Sequence, residues 1–269
     1  EALDQFEKAV SLNPDHIDAL NHISVIYVTQ KRLDMAISRC TEQLKKSPGN
    51  PLIHNLLGNL FVLQRDDKRA EDSYKKAIEL EPNFLLPYMA LGRLYLRNKA
   101  EDKTMAEYQK VIEKNPGYVP AHMQIGILYQ SKEKYPEAIR HYEKIMEINP
   151  KFAPAANNLA WLYAEGHGGD LNKALALAQT AKEQSPEDPA ISDTLGWVYY
   201  KKGILDGAIS LFEEALEKIP NEPSIHYHLG MAYLKNSENE LAKKALEKAL
   251  SVREDFPESA EAKKALREL

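Results

Sequence analysis

A chain of 269 residues with 43% apolar and 28% charged side chains is long enough for a large buried core, and its composition fits neither a disordered nor a membrane-embedded protein. A net charge of −5 at pH 7 and a pI of about 6.0 argue against nucleic acid as a partner. The single cysteine, Cys40, excludes an intramolecular disulfide, and eight scattered histidines leave little material for a metal site.

The first residue, Glu1, falls inside a helical pattern, so a piece of a longer chain is expected, with any signal peptide or lipid anchor lying upstream. Residues 1–16 read as half of a repeating unit. From there the prolines set a period: Pro14, Pro48, Pro82, Pro116 and Pro150 are each 34 apart, Pro186 follows after 36 and Pro220 after 34. A residue before proline is pushed out of the helical region, so each marks a helix stop. Pro51, Pro87, Pro120, Pro154, Pro189 and Pro223 fall in the first turn of the next apolar-periodic segment, where the missing N–H costs nothing. Asn50 and Asp188 stand before two of them as expected N-caps. No apolar run reaches the roughly 18–20 residues of a membrane-spanning helix. The best, "FLLPYMALGRLYL", is cut by Pro87 and Arg93, so no direct membrane insertion is expected of this segment.

Aligned on these marks, "HNLLGNLF", "YMALGRLY", "HMQIGILY", "SDTLGWVY" and "HYHLGMAY" share one template, with Ser24 and Ala160 replacing the glycine in two more copies. Nine residues past the aromatic come Ala36, Ala70, Ala138, Ala208 and Ala242, and four further on Cys40, Tyr74, Tyr142, Phe212 and Leu246. Gly58, Gly92, Gly126, Gly196 and Gly230 lack a Cβ and admit a second helix closely; the alanines are expected to face them. One helix pair cannot bury its apolar stripe alone, so stacking of neighbours is required.

These residues and their spacing closely resemble the tetratricopeptide repeat family over essentially the whole chain. The resemblance implies an all-α α-solenoid, a right-handed superhelix of helix-turn-helix repeats in which helix A of each repeat lines a concave groove. The chain then reads as one array: the half repeat 1–16, repeats at 17–50, 51–84, 85–118, 119–152, 153–188, 189–222 and 223–256, and a polar capping helix at 257–269. Thr104 in place of the helix-B alanine and Gln43 at a usually small position are local departures. The passage 157–203 and the closing "DFPESAEAKKALREL" further resemble bacterial repeat proteins linked to exopolysaccharide export, the PEP-CTERM-associated lipoproteins. That likeness implies a periplasmic or membrane-tethered scaffold; without it the cytoplasm fits as well.

Residues 165–170, "EGHGGD", hold Glu165, His167 and Asp170 among three glycines. From Tyr163 to Ala174 is eleven residues where other repeats use nine, so the stretch is a two-residue insertion in an inter-helix turn. Its glycines supply positive φ and Asp170 caps the next helix. A metal site would need three diverging side chains to meet, and a phosphate loop would need a preceding strand and a lysine. No catalytic motif occurs: Cys40 sits at an inward helix-B position, and His54, His122 and His226 occupy a packing position. Neither an enzyme nor a cofactor is expected.

What remains is the groove. Carried over from the family, its partner-binding residues are Asn55, Asn59, Met89, Arg93, Met123, Ile127, Asn157, Asn158, Trp161, Asp193, Trp197, Tyr200, Tyr227 and Met231. Trp, Tyr, Met and Arg are the types enriched at interface hot spots. Trp161 and Trp197 fall on adjacent A helices, where they either contact a partner or pack between neighbours. The expected function is a protein-interaction scaffold for a peptide or partner helix. Alternatives are the adaptor part of a larger enzyme, such as a repeat-bearing glycosyltransferase, or self-association through the incomplete first repeat.

Overall fold

The computed structural model describes residues 1–269 as sixteen α-helices without a strand. They fall into two compact units, Glu1–Ala121 and His122–Leu269. Unit 1 holds α1 (Ala2–Leu12), α2 (Ile17–Thr29), α3 (Leu33–Lys46), α4 (Pro51–Gln64), α5 (Asp67–Leu80), α6 (Leu85–Arg97), α7 (Glu101–Lys114) and the first turn of α8 (Val119–Ser131). Unit 2 holds the rest of α8, then α9 (Tyr135–Ile148), α10 (Ala153–Ala164), α11 (Leu171–Gln184), α12 (Pro189–Lys202), α13 (Leu205–Lys218), α14 (Pro223–Lys235), α15 (Asn239–Val252) and α16 (Ser259–Glu268). Within each unit successive helices pack on one another, and alternate A helices also touch: α2 on α4, α4 on α6, α10 on α12 and α12 on α14.

The helix ends follow the proline grammar. Asn50 and Asp188 accept hydrogen bonds from the Leu52 and Ala190 N–H groups at 3.0 and 2.9 Å, each ahead of a proline at the first helical position. Before the closing prolines, Asn115 and Asn149 are extended and Ser47 is likewise non-helical, and each donates its N–H back to the last turn of helix B. Between the A and B helices of six repeats one residue is left-handed: Lys31, Arg65, Lys99, Glu133, Gly203 and Ser237, with φ between 57 and 78°. Only one of these is a glycine, so five L-residues carry the cost of that conformation.

The side chain nearest the small position of helix A is the bulky residue four beyond the helix-B alanine, and at Gly230 the Ala242 carbonyl also lies within 3.3 Å. A Cβ built on Gly58 would lie 2.6 Å from Cδ1 of Tyr74, on Gly126 2.6 Å from Cε1 of Tyr142, on Gly196 2.7 Å from Cε1 of Phe212 and on Gly230 2.7 Å from Cγ of Leu246. The glycine thus makes room above all for a ring or branched side chain. The two repeats without glycine compensate on the other helix. Ser24 meets Cys40, Oγ to Sγ 3.2 Å, and Ala160 shares its repeat with the small Ala178. Tyr74, Tyr108, Tyr142, Phe212, Cys40 and Ala178 are all fully or almost fully buried. A larger residue on helix A is thus matched by a smaller one on helix B.

The departures have local causes. Gln43 is fully buried and its Nε2 donates to the Pro14 carbonyl at 2.6 Å, tying α3 to the α1–α2 link. Its Oε1 accepts from Arg39, which also holds Glu7 at 2.9 Å. Thr104, buried where other repeats carry alanine, returns its hydroxyl to the Ala100 carbonyl at 3.1 Å.

Candidate partner-binding surface

The residue after the small position of helix A, and those one turn on, point away from the partner B helix. In unit 1 this leaves Val25 and Leu63 about half exposed, at 50% and 57%, while Leu57, Leu60 and Phe61 on the same α4 are buried. Asn59 and Arg93 are exposed, Asn55 is half-buried, and Met89 is buried at 3%. Asn59 Oδ1 accepts the Tyr74 hydroxyl at 2.8 Å. Burial pushes that phenol up to about 12, so it stays a donor. Arg97 pairs with Asp67, whose other oxygen accepts from Asn98 at 2.8 Å. Between α4 and α6 these side chains border an open cleft of about 450 Å³, walled by Val62, Leu63 and Leu94.

In unit 2 the same faces carry rings. Trp161 stacks on Trp197 with centroids 6.1 Å apart, and Trp197 stacks on Tyr200 at 4.8 Å. His228 lies 4.4 Å from Trp197 and holds Asp193 Oδ1 at 2.7 Å from its Nδ1; Tyr227 stands 6.5 Å from Trp197. The free ring faces are partly covered from within. Lys201 Nζ stands 4.9 Å over Trp197, and Lys235 Nζ 4.6 Å over Tyr200. Trp197 is 7% exposed and its indole N–H donates to Glu165 Oε1 at 2.7 Å, whereas Trp161 is only half-buried. Asn158 donates to the Tyr142 hydroxyl at 3.2 Å, while Asn157 Oδ1 is buried without a partner. Met123 and Met231 are half-buried and Ile127 is 42% exposed. The structure therefore gathers Trp161, Asp193, Trp197, Tyr200 and Tyr227 into one cluster, and leaves Ile127 on open surface.

Sequence reasoning missed one member of that cluster. Glu165, read only as part of a turn, binds both Trp197 and Lys201, the latter at 3.0 Å. Burial pulls its carboxyl upward, but the hydrogen bonds from Trp197 and Lys201 outweigh this and hold it below the usual range. His228, 2% exposed, serves as a packed ring with one polar tether. The sign change from Glu165 to Lys201 and Lys235 at equivalent positions of successive repeats was the available signal.

The rest of "EGHGGD" disperses. His167 stacks on Tyr135 at 3.8 Å, and Asp170 Oδ1 accepts from the Asn172 and Lys173 N–H groups at 2.8 and 2.9 Å. Gly166 and Gly168 take φ of 84 and 121°. Glu165, His167 and Asp170 thus point to three different partners, as a turn requires and a metal site does not. Cys40 is fully buried, and burial raises its thiol to about 11, which leaves it protonated and unreactive. His54 and His226 hold the Pro48 and Pro220 carbonyls at 3.4 and 3.0 Å, the place Tyr88 fills toward Pro82 at 3.0 Å. His122 meets His141, Nδ1 to Nδ1, at 2.9 Å.

Family models described as tetratricopeptide repeat match residues 52–84, 119–152, 141–176 and 223–256, and one described as TPR repeat matches 196–237. A tetratricopeptide repeat protein from Parabacteroides merdae is similar at a TM-score of 0.60 and 21% identity, over 93% of this chain and 97% of that one. The APC/C hetero-tetramer Cut9-Hcn1 aligns at 0.69 and 15% identity, over 98% of this chain and 52% of the other. YrrB, a TPR protein with an unusual peptide-binding site, aligns at 0.58 and 26% identity, over 72% of this chain and all of its own. Among curated proteins nothing matches significantly. With helix pairs, small-to-bulky pairing and matched repeats in agreement, the chain is an all-α protein of the solenoid class and belongs to the tetratricopeptide repeat family.

Proposed function

We propose that the chain is a non-enzymatic scaffold whose A-helix faces take an extended peptide or a partner's helix. The observation that carries this is the pattern of exposure along those faces. Val25, Leu63 and Ile127 stay 50%, 57% and 42% exposed at groove-facing positions of α2, α4 and α8, while Leu20, Ile23, Leu57, Leu60, Ile125 and Leu128 of the same helices are buried. Repeated exposure of apolar groups on one face of successive elements is the mark of a surface kept for a partner. The likeness to YrrB, whose peptide-binding site is part of its description, supports the same reading.

For the setting, we infer an export system from the wording of residues 157–203 alone. Fractionation of the native host tests it: the chain in the periplasm or at a membrane agrees, and a purely cytoplasmic pool refutes it. The binding reading is tested by placing the photo-crosslinker benzoylphenylalanine at position 63 or 127, and at exposed Ile148 on a B helix as control. A discrete adduct from 63 or 127 and none from 148 is expected. Adducts from 148 alone would overturn the reading.

A further inference from the structure

Resting on that binding reading, we propose that the cleft of unit 1 selects a partner segment carrying a side-chain carboxylate next to a large apolar residue. The cleft holds two guanidinium groups on one helix face, a turn apart on α6. Arg97 is already neutralised by Asp67. Arg93 is exposed and makes no hydrogen bond or ion pair, so the cleft carries one uncompensated positive charge. Across from it, Asn59 has its carbonyl oxygen occupied by Tyr74, which leaves its NH2 as the free end. One planar guanidinium and one amide donor match the two oxygens of a single carboxylate. Val62, Leu63 and Leu94 supply the wall for the neighbouring apolar side chain.

A second observation marks Arg93 as more than a solvated surface charge. Tyr108 packs under Gly92 as Tyr74 packs under Gly58, and Tyr74 finds an acceptor in Asn59. At the equivalent place α6 offers Arg93, which accepts nothing, and the fully buried Tyr108 hydroxyl is left without a partner. An asparagine would satisfy that hydroxyl, yet the chain carries a cation there. The matching positions in unit 2, Ile127, Trp161, Trp197 and Met231, carry no cation, so acid selection belongs to unit 1.

The test titrates three peptides into the ¹⁵N-labelled full chain and follows the Arg93 Nε–Hε and Asn59 NH2 resonances. The peptides are acetyl-Gly-Leu-Glu-Leu-Gly-amide, its Gln counterpart, and acetyl-Gly-Leu-Gln-Leu with a free carboxyl end. We expect the Glu peptide to shift both resonances and to bind at least about fivefold tighter than the Gln peptide, and Arg93→Gln to erase that difference. Arg93 is exposed, and an unchanged far-UV spectrum of the variant confirms its fold. Equal binding of the Glu and Gln peptides, or an acid preference that survives R93Q, overturns the proposal while leaving peptide binding intact. Tighter binding of the free-carboxyl peptide overturns the side-chain source. If no peptide moves any A-face residue of unit 1, the binding reading itself fails there.

Discussion

Gly196→Ala is the most informative perturbation of the fold. The added Cβ would lie 2.7, 3.0 and 3.2 Å from three ring carbons of Phe212, where ordinary carbon contacts are about 3.5–4 Å. The ring must retreat by about 1 Å, and it is fully buried. Such overpacking costs about 1–3 kcal/mol, and replacing a mid-helix glycine returns about 0.5–1 kcal/mol. A net loss of about 1–2 kcal/mol is expected. Phe212→Ala alone should cost about 3–5 kcal/mol through the cavity it leaves. The double variant, however, recreates the small–small pair that Ala160 and Ala178 form one repeat earlier. There the new methyl clashes with nothing, so the double loss should fall short of the sum by about 2 kcal/mol. Urea unfolding followed by tryptophan emission reads this directly, since both tryptophans lie in the same unit. A G196A variant as stable as the parent, or a coupling below about 0.5 kcal/mol, would refute the packing argument.

Five further residues, spread over both units, test the backbone and the rings. Lys99→Gly should stabilise by about 0.5–1 kcal/mol because φ there is 57°, and Gly203→Ala, at 78°, should destabilise by about 1 kcal/mol; thermal melts of equal midpoint for both would contradict this. Burial, and then the neighbouring His122, lowers His141 from 6.5 to about 4. The unfolded chain therefore takes up the proton first: stability is full above about pH 6.5, falls as pH drops toward about 4, and then levels. The loss, discounted for partial exposure, is about 1–2 kcal/mol, and a stability–pH curve for His141→Gln should lack it. Trp161→Phe, which keeps only Trp197, should give blue-shifted emission protected from acrylamide, whereas Trp197→Phe should leave a readily quenched Trp161; equal quenching of the two would contradict the difference in burial.

The helix pairs were legible because proline and glycine act locally. A proline sets its own φ and that of its predecessor, so Pro48 or Pro189 announces a helix boundary without reference to the rest of the fold. What faces what across a helix pair is not local. That the ring of Tyr74 or Phe212 reaches across and comes nearest to the glycine could not be read from the alanine spacing. The compensating Ser24–Cys40 and Ala160–Ala178 pairs become intelligible only with that geometry known. The site was legible as positions and not as roles. Trp197 lies where its register puts it, but the acceptor of its indole N–H is Glu165, thirty-two residues earlier in a turn. Likewise the sequence offers two equivalent arginines at 93 and 97, and only the position of Asp67 shows which one keeps a free charge.

The measurement that bears most directly on the account is the affinity of a crosslinked partner, once isolated, for the parent chain and for two exposed-residue variants, Leu63→Glu on an A helix and Ile148→Glu on a B helix. Both sites are exposed, at 57% and 42%, so neither change should disturb folding. The account predicts that Leu63→Glu weakens binding by about tenfold or more and that Ile148→Glu changes it less than about twofold. Loss of binding in Ile148→Glu with Leu63→Glu unaffected would place the partner on the other face and contradict it.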